Sequence, residues 1–159
     1  LNEKSFYDAL KVVNKKIIYS HGNCKALCGH VRNVTDDQMR ALKKVDGLLG
    51  LTLANSFIDD DKENRTFDRY LEHIKHAIDV MGIDNVCFGF DFMDYLSEFP
   101  NSNLEDVPNA LFAYRIVDGL KKIGLSKYLR SLKIFVSLLA CSFLQNNLFL
   151  SEDHMLHSL

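Results

Sequence analysis

The chain has 159 residues, 47% of them hydrophobic, with 19 basic and 21 acidic side chains and a net charge of −2. That length suits one domain or a part of one, and falls short of the roughly 250 residues of a complete eight-stranded β/α barrel. The charge balance gives no basic surface for nucleic acid and no polybasic segment for an anionic membrane, so partners have to be argued from sites. The sequence opens on Leu1 without a leader pattern, which reads as a start inside a longer protein whose N-terminus is unseen.

Residues 2–14 read as a helix, with Asn2 as N-cap, Glu3 in the first turn and Phe6, Leu10 and Val13 along one face. Ile17, Ile18 and Tyr19 form a strand that ends on Ser20 and His21. Gly22 then permits a sharp turn into a short helix over residues 23–28. Thr35-Asp36-Asp37-Gln38 is a capping box opening a helix to Asp46, with Met39, Leu42 and Val45 apolar and Gly47 as its stop. Residues 48–53 make a strand apolar on both faces, as expected of a parallel strand under helices.

Residues 55–65 read as a solvated acidic loop, because Asp59, Asp60 and Asp61 lack the D-x-D-x-D-G pattern of a calcium site. Thr66 caps a helix to Met81, striped by Phe67, Tyr70, Leu71, Ile74, Ala77 and Ile78 and stopped by Gly82. A third strand, Val86 to Phe90, delivers Asp91 at its end. Pro108 fits the first turn of a last helix carrying Leu111, Ile116, Val117 and Leu120 and ending at Gly124. Residues 134–144 are eleven uncharged positions, too few to cross a bilayer, and read as a core-packing or interfacial helix. The other reading of this tail is a coding sequence that leaves its ancestral frame near Ser126.

The alternation of helix and strand argues a parallel sheet under helices, in the α/β class. His21 and Asp91 then stand at two strand ends of one face, the arrangement of a shared site. Cys24, Cys28, Cys87 and Cys141 form no disulfide framework, so they read as reduced thiols and the expected location is cytoplasmic. A rival use of two of them is a small zinc module, since His21, Cys24, Cys28 and His30 spell H-x2-C-x3-C-x-H, although that spacing fits no common structural zinc pattern.

Several ordered segments resemble the zinc-dependent membrane (renal) dipeptidase family. Tyr19-Ser20-His21-Gly22-Asn23 resembles its F-S-H-S, His30-Val31-Arg32-Asn33-Val34-Thr35-Asp36-Asp37-Gln38 its H-P-R-N-L-T-D-E-Q, and Gly89-Phe90-Asp91-Phe92 its G-S-D-F; residues 70–82 match as well. The resemblance covers residues 1–124 and implies about three β/α units from the C-terminal half of a (β/α)8 TIM-type barrel over residues 1–125, followed by a divergent tail over 126–159. It implies an enzyme with two zinc ions sharing a bridging hydroxide that attacks the peptide bond of a dipeptide substrate. In that scheme His21 ligates one zinc, Asp91 is the general acid/base and Arg32 binds the substrate. His73 and His76 match the family's D-H-x-x-H-I on an outer helix and are expected to bond neighbouring loops.

The sequence departs from the family where Met93 and Asp94 replace an acid and a glycine after Asp91. The family's remaining metal ligands lie N-terminal to anything present, so the chain alone is expected to be inactive. Its two open sheet edges are expected to need the N-terminal half of the barrel, a second copy in a homo-oligomer, or another partner. A truncated remnant or interaction module is the alternative function.

Overall fold

The computed structural model describes residues 2–13, 15–93, 102–126 and 133–134. Its elements alternate as α1 (Glu3–Val12), β1 (Ile18–Tyr19), α2 (Asp36–Lys44), β2 (Leu48–Leu51), α3 (Phe67–Met81), β3 (Val86–Phe88), α4 (Tyr114–Lys122) and β4 (Lys133–Ile134). The four strands form one parallel sheet in the order β1-β2-β3-β4. This is the α/β architecture that the helix–strand alternation predicts, with a fourth strand added. Ile134 pairs with Phe88 in that strand, whereas the sequence pattern starts a helix there; residues 135–144 lie outside the described residues.

Register explains how the sheet divides its two faces. Leu49 is opposite Val86 and Leu51 opposite Phe88. These four join Tyr70, Leu71, Ile74, Ala77, Met81, Ile116 and Leu120 in one core, so alternate strand positions face the helices. α2 packs on β2, α3 on β3, and α3 touches both α2 and α4. Gly50 and Cys87 are paired and point to the opposite face. Burying each large aliphatic side chain of the helix side contributes about 1.5–3 kcal/mol.

Local chemistry sets most element ends. The Asn2 side chain accepts from Ser5 N at 2.8 Å, and Thr66 accepts from Arg69 N at 3.2 Å. Both halves of the Thr35–Gln38 capping box form, at 3.2 and 2.9 Å. Gly82 ends α3 at φ 83° and Gly124 follows α4 at φ 79°, backbone conformations that glycine adopts without steric cost.

Five details differ from the sequence reading. Val13 sits beyond the end of α1 and is 44% exposed. α2 ends at Lys44, and the left-handed residue after it is Asp46 at φ 53°; Gly47 is small because a Cβ there would strike the Leu42 side chain. Residues 23–28 are not helical: Cys24 bridges Val34 and residues 25–27 turn. Pro108 precedes a 3-10 turn (Ala110–Phe112) instead of opening α4. In that region Leu111 is exposed and Val117 partly so, while Gly119 joins Ile116 and Leu120 on the buried side. No helix among the described residues is long and apolar enough to cross a membrane.

Candidate functional site

β1 hands the chain to Ser20 and His21, and Gly22 N continues the ladder by donating to Gly50 O at 2.9 Å. The Ser20 carbonyl lies over both Gly50 and Gly89, where a Cβ on either glycine would collide with it. Two facing glycines thus let the end of β1 lean across β2 to β3, two residues before Asp91. Glycine inside an otherwise apolar strand was the available signal for this close approach.

His21 is held by two contacts. Its Nε2 lies 2.5 Å from Arg32 Nη2 and its Nδ1 lies 2.8 Å from Ser20 Oγ. A guanidinium has no acceptor, so Nε2 presents its lone pair to Arg32 and Nδ1–H donates to Ser20. Arg32 is anchored along its own backbone: its N donates to His30 Nδ1 at 3.3 Å and its carbonyl accepts from Tyr19 OH at 3.0 Å. Its guanidinium carbon sits 5.3 Å from the centre of the Phe57 ring, and the His30 imidazole stacks on the same ring at 4.0 Å. Burial, reinforced by the positive charge of Arg32, pushes the His30 pKa down.

A buried amide network holds this corner from beneath. Asn23 Nδ2 donates to Thr52 O at 3.0 Å and to Phe57 O, its Oδ1 accepts from Thr52 N at 3.1 Å, and its backbone N donates to Asn33 Oδ1. Asn33 Nδ2 donates to Cys28 O and to Phe57 O at 3.0 and 2.9 Å. Two asparagines therefore satisfy loop backbone that would otherwise be buried without partners. Their partners are distant in sequence, and neither asparagine stood out as a site residue.

Asp91 is set by backbone. It adopts φ 56°, a left-handed conformation uncommon for a non-glycine residue and enriched at functional sites. The carbonyl before it, Phe90 O, accepts from Thr52 Oγ1 at 3.1 Å, Asn103 Nδ2 at 3.3 Å and Leu53 N at 3.4 Å. Asp91 is half-buried, and no described side chain pairs with its carboxylate. Asp94, where the family pattern breaks, is outside the described residues.

The other candidate ligands are engaged elsewhere. Cys24 Sγ donates to His73 O, and burial raises its thiol pKa to about 12. Cys28 Sγ contacts Ser56 O and Asp60 Oδ1. His21, Cys24, Cys28 and His30 are not brought together, because the turn at 25–27 sends the sulfurs into the core and His30 onto Phe57. His73 is fully buried, accepting at Nδ1 from Cys24 N at 3.0 Å and meeting Ile58 O at 2.8 Å through Nε2; His76 Nε2 meets Asp36 at 2.8 Å. Both histidines bond neighbouring segments, as the outer-helix reading expects.

Nor is the 55–65 loop simply solvated. Asp59 is buried and its carboxylate lies 2.8 Å from Arg69 Nε, an ion-pair contact without hydrogen-bond alignment, while Asp60 accepts from Gly29 N at 3.0 Å.

Zinc chemistry needs about three protein ligands. His21 supplies one nitrogen, and the described residues contain no group of three or more His, Cys, Asp or Glu able to hold a metal. The described residues by themselves therefore do not fit a zinc centre. A cavity of about 80 Å³ lined by Phe6, Tyr19, Asn33 and Gln38 lies at α1, away from Asp91, and is too small for a dipeptide.

A parallel sheet with helices on one face and polar side chains gathered at the carboxyl ends of its strands defines the class: an α/β protein with a strand-end site. The sequence matches the family described as membrane dipeptidase (peptidase family M19) over residues 1–127, and the chain belongs to that family. It is 35% identical over 108 residues to an uncharacterised dipeptidase of Schizosaccharomyces pombe, covering 67% of this chain and 26% of that protein. It is 30% identical over 110 residues to a dipeptidase of Claviceps purpurea, covering 64% and 26%. A metallopeptidase structure from Rhodobacter sphaeroides, liganded with a phosphinate mimic of the dipeptide L-Ala-D-Ala, is similar with TM-score 0.73 and 26% identity over 83% of this chain and 37% of that one. The chain spans a quarter to about a third of the length of the curated relatives it matches.

Proposed function

We propose that this chain is part of a zinc-dependent dipeptidase, forming about three β/α units from the C-terminal half of an eight-stranded barrel. Membership of the dipeptidase family supports the activity. The observation that carries the site is the Ser20 carbonyl seated on Gly50 and Gly89, which draws the His21 and Asp91 strand ends together. Zinc, if held by ligands from the rest of the protein, would supply polarisation of the carbonyl and activation of a water. His21 would offer it Nε2, the nitrogen that faces Arg32 in this structure; the other ligands come from outside the described residues, and the isolated chain is inactive.

The chain's own residues account for the rest. The Asp91 carboxylate, which no described side chain pairs with, moves the proton as general acid/base. Arg32 presents two parallel donors to the substrate's carboxylate. The dipeptide is the substrate, and the exposed edges of the sheet are covered by the remainder of the barrel or by a second copy. The buried reduced thiols of Cys24 and Cys28 suit a cytoplasmic location.

The test is Asp91→Ala in the complete protein. Turnover of dipeptides should fall by a factor of about 100 to 10,000 with the fold intact. Activity within a few fold of the unaltered enzyme would remove Asp91 from the chemistry.

A further inference from the structure

We propose that Phe57 is a positioning residue that aims Arg32 at the substrate, a role resting on the reading of Arg32 as the group that binds the dipeptide carboxylate. Two arginines of this chain show the contrast. Arg69 lies against the Asp59 carboxylate, and its two terminal nitrogens are engaged by Glu72 and by the Leu27 carbonyl. Arg32 has no carboxylate partner among the described residues; its guanidinium is oriented by the Phe57 ring and His21. Orientation by a ring face uses the cation and leaves in-plane N–H donors for an anion.

Phe57 is itself fixed from three directions. It closes a 3-10 turn (Asn55–Phe57), is 6% exposed, and its carbonyl accepts from both Asn23 and Asn33, the amides that brace the Arg32 loop. His30 stacks on the ring with 29° between planes and takes the Arg32 backbone N–H. Ring, loop and guanidinium are therefore joined through shared contacts. Without the ring, this exposed side chain with several rotatable bonds keeps one restraining contact, to His21, among the described residues.

The experiment compares Phe57→Leu, Phe57→Tyr and Arg32→Ala in the complete protein, using a dipeptide and its C-terminal amide. For Phe57→Leu, KM for the free carboxylate should rise roughly tenfold with kcat within about twofold, the amide should change little, and Phe57→Tyr should restore binding. An unchanged KM, or an equal rise for acid and amide, would overturn the role. An independent readout is the Arg32 Nε–H resonance, expected to carry a ring-current shift in the unaltered protein and in Phe57→Tyr and to lose it in Phe57→Leu. Retention of that shift in Phe57→Leu would overturn the proposal. If Arg32→Ala leaves the preference for the carboxylate intact, the substrate reading of Arg32 fails, and the resonance alone decides whether Phe57 positions it.

Discussion

The two corners of the site are built by different means. At the His21 corner, side chains hold side chains: Ser20, Arg32, His30 and Phe57 engage one another above a buried asparagine pair. At the Asp91 corner, Thr52, Leu53 and Asn103 converge on the carbonyl of the preceding residue and fix the main chain, while no described side chain holds the carboxylate. On the proposed reading, a group that holds a ligand in place gains from partners, whereas a carboxylate that exchanges a proton gains from having none among the described residues. The cost at the second corner is backbone strain, and at the first it is dependence on every member of a network.

The largest expected effect falls on the joint between the corners. Gly89→Ala places a methyl against the Ser20 carbonyl, so unfolding free energy from urea titration should drop by about 3 kcal/mol or more. An unaltered midpoint would mean that the strand ends do not approach as described.

Acid should loosen the partnered corner next. His73 is held at a pKa of about 4, below the ordinary 6.5, chiefly by burial, and protonation at Nδ1 would break its bond from Cys24 N. The unfolded chain then binds the extra proton between those values. Stability is therefore full above about pH 6.5 and falls as the pH drops toward 4, by on the order of 3 kcal/mol in total. Denaturation midpoints measured across that range should lose this slope in His73→Gln.

Asn33→Ala removes three hydrogen bonds and leaves buried groups unpaired, an expected loss of about 2 kcal/mol by the same titration. The smallest effect has the opposite sign. Asp91→Gly relieves a positive φ and should raise stability by up to ~1 kcal/mol in calorimetry while activity is lost. A destabilised Asp91→Gly would mean that the carboxylate holds the corner together, and the contrast between the corners would fail.

What the sequence made legible follows the same division. Caps at Asn2, Thr35 and Thr66 and the stop at Gly82 depend on residues within about four positions, and they form as the sequence predicts. The parallel sheet under helices and the placing of His21 and Asp91 at strand ends were also readable, from the alternation of elements. Pairings across the fold were not. Asn23 meets Thr52 across 29 positions and Phe57 across 34, and no local pattern marks such partners. The same competition explains residues 23–28: helical spacing of Cys24 and Cys28 yields to the bond that Cys24 N donates to His73 and the one that Cys28 O accepts from Asn33. Asp59 reads as solvated in a run of three acids, yet Arg69 draws it inward. Leu111 illustrates the converse error, since its helical spacing assumed that the helix began before the 3-10 turn.

The most direct test of a single shared site is a double-mutant cycle on kcat/KM for dipeptide hydrolysis by the complete zinc-loaded protein, using His21→Ala and Asp91→Ala. If both strand ends serve one reaction centre, the double variant should be about as slow as the slower single variant, because either loss disables the unit. Losses that multiply, each variant acting as if the other residue were elsewhere, would contradict it.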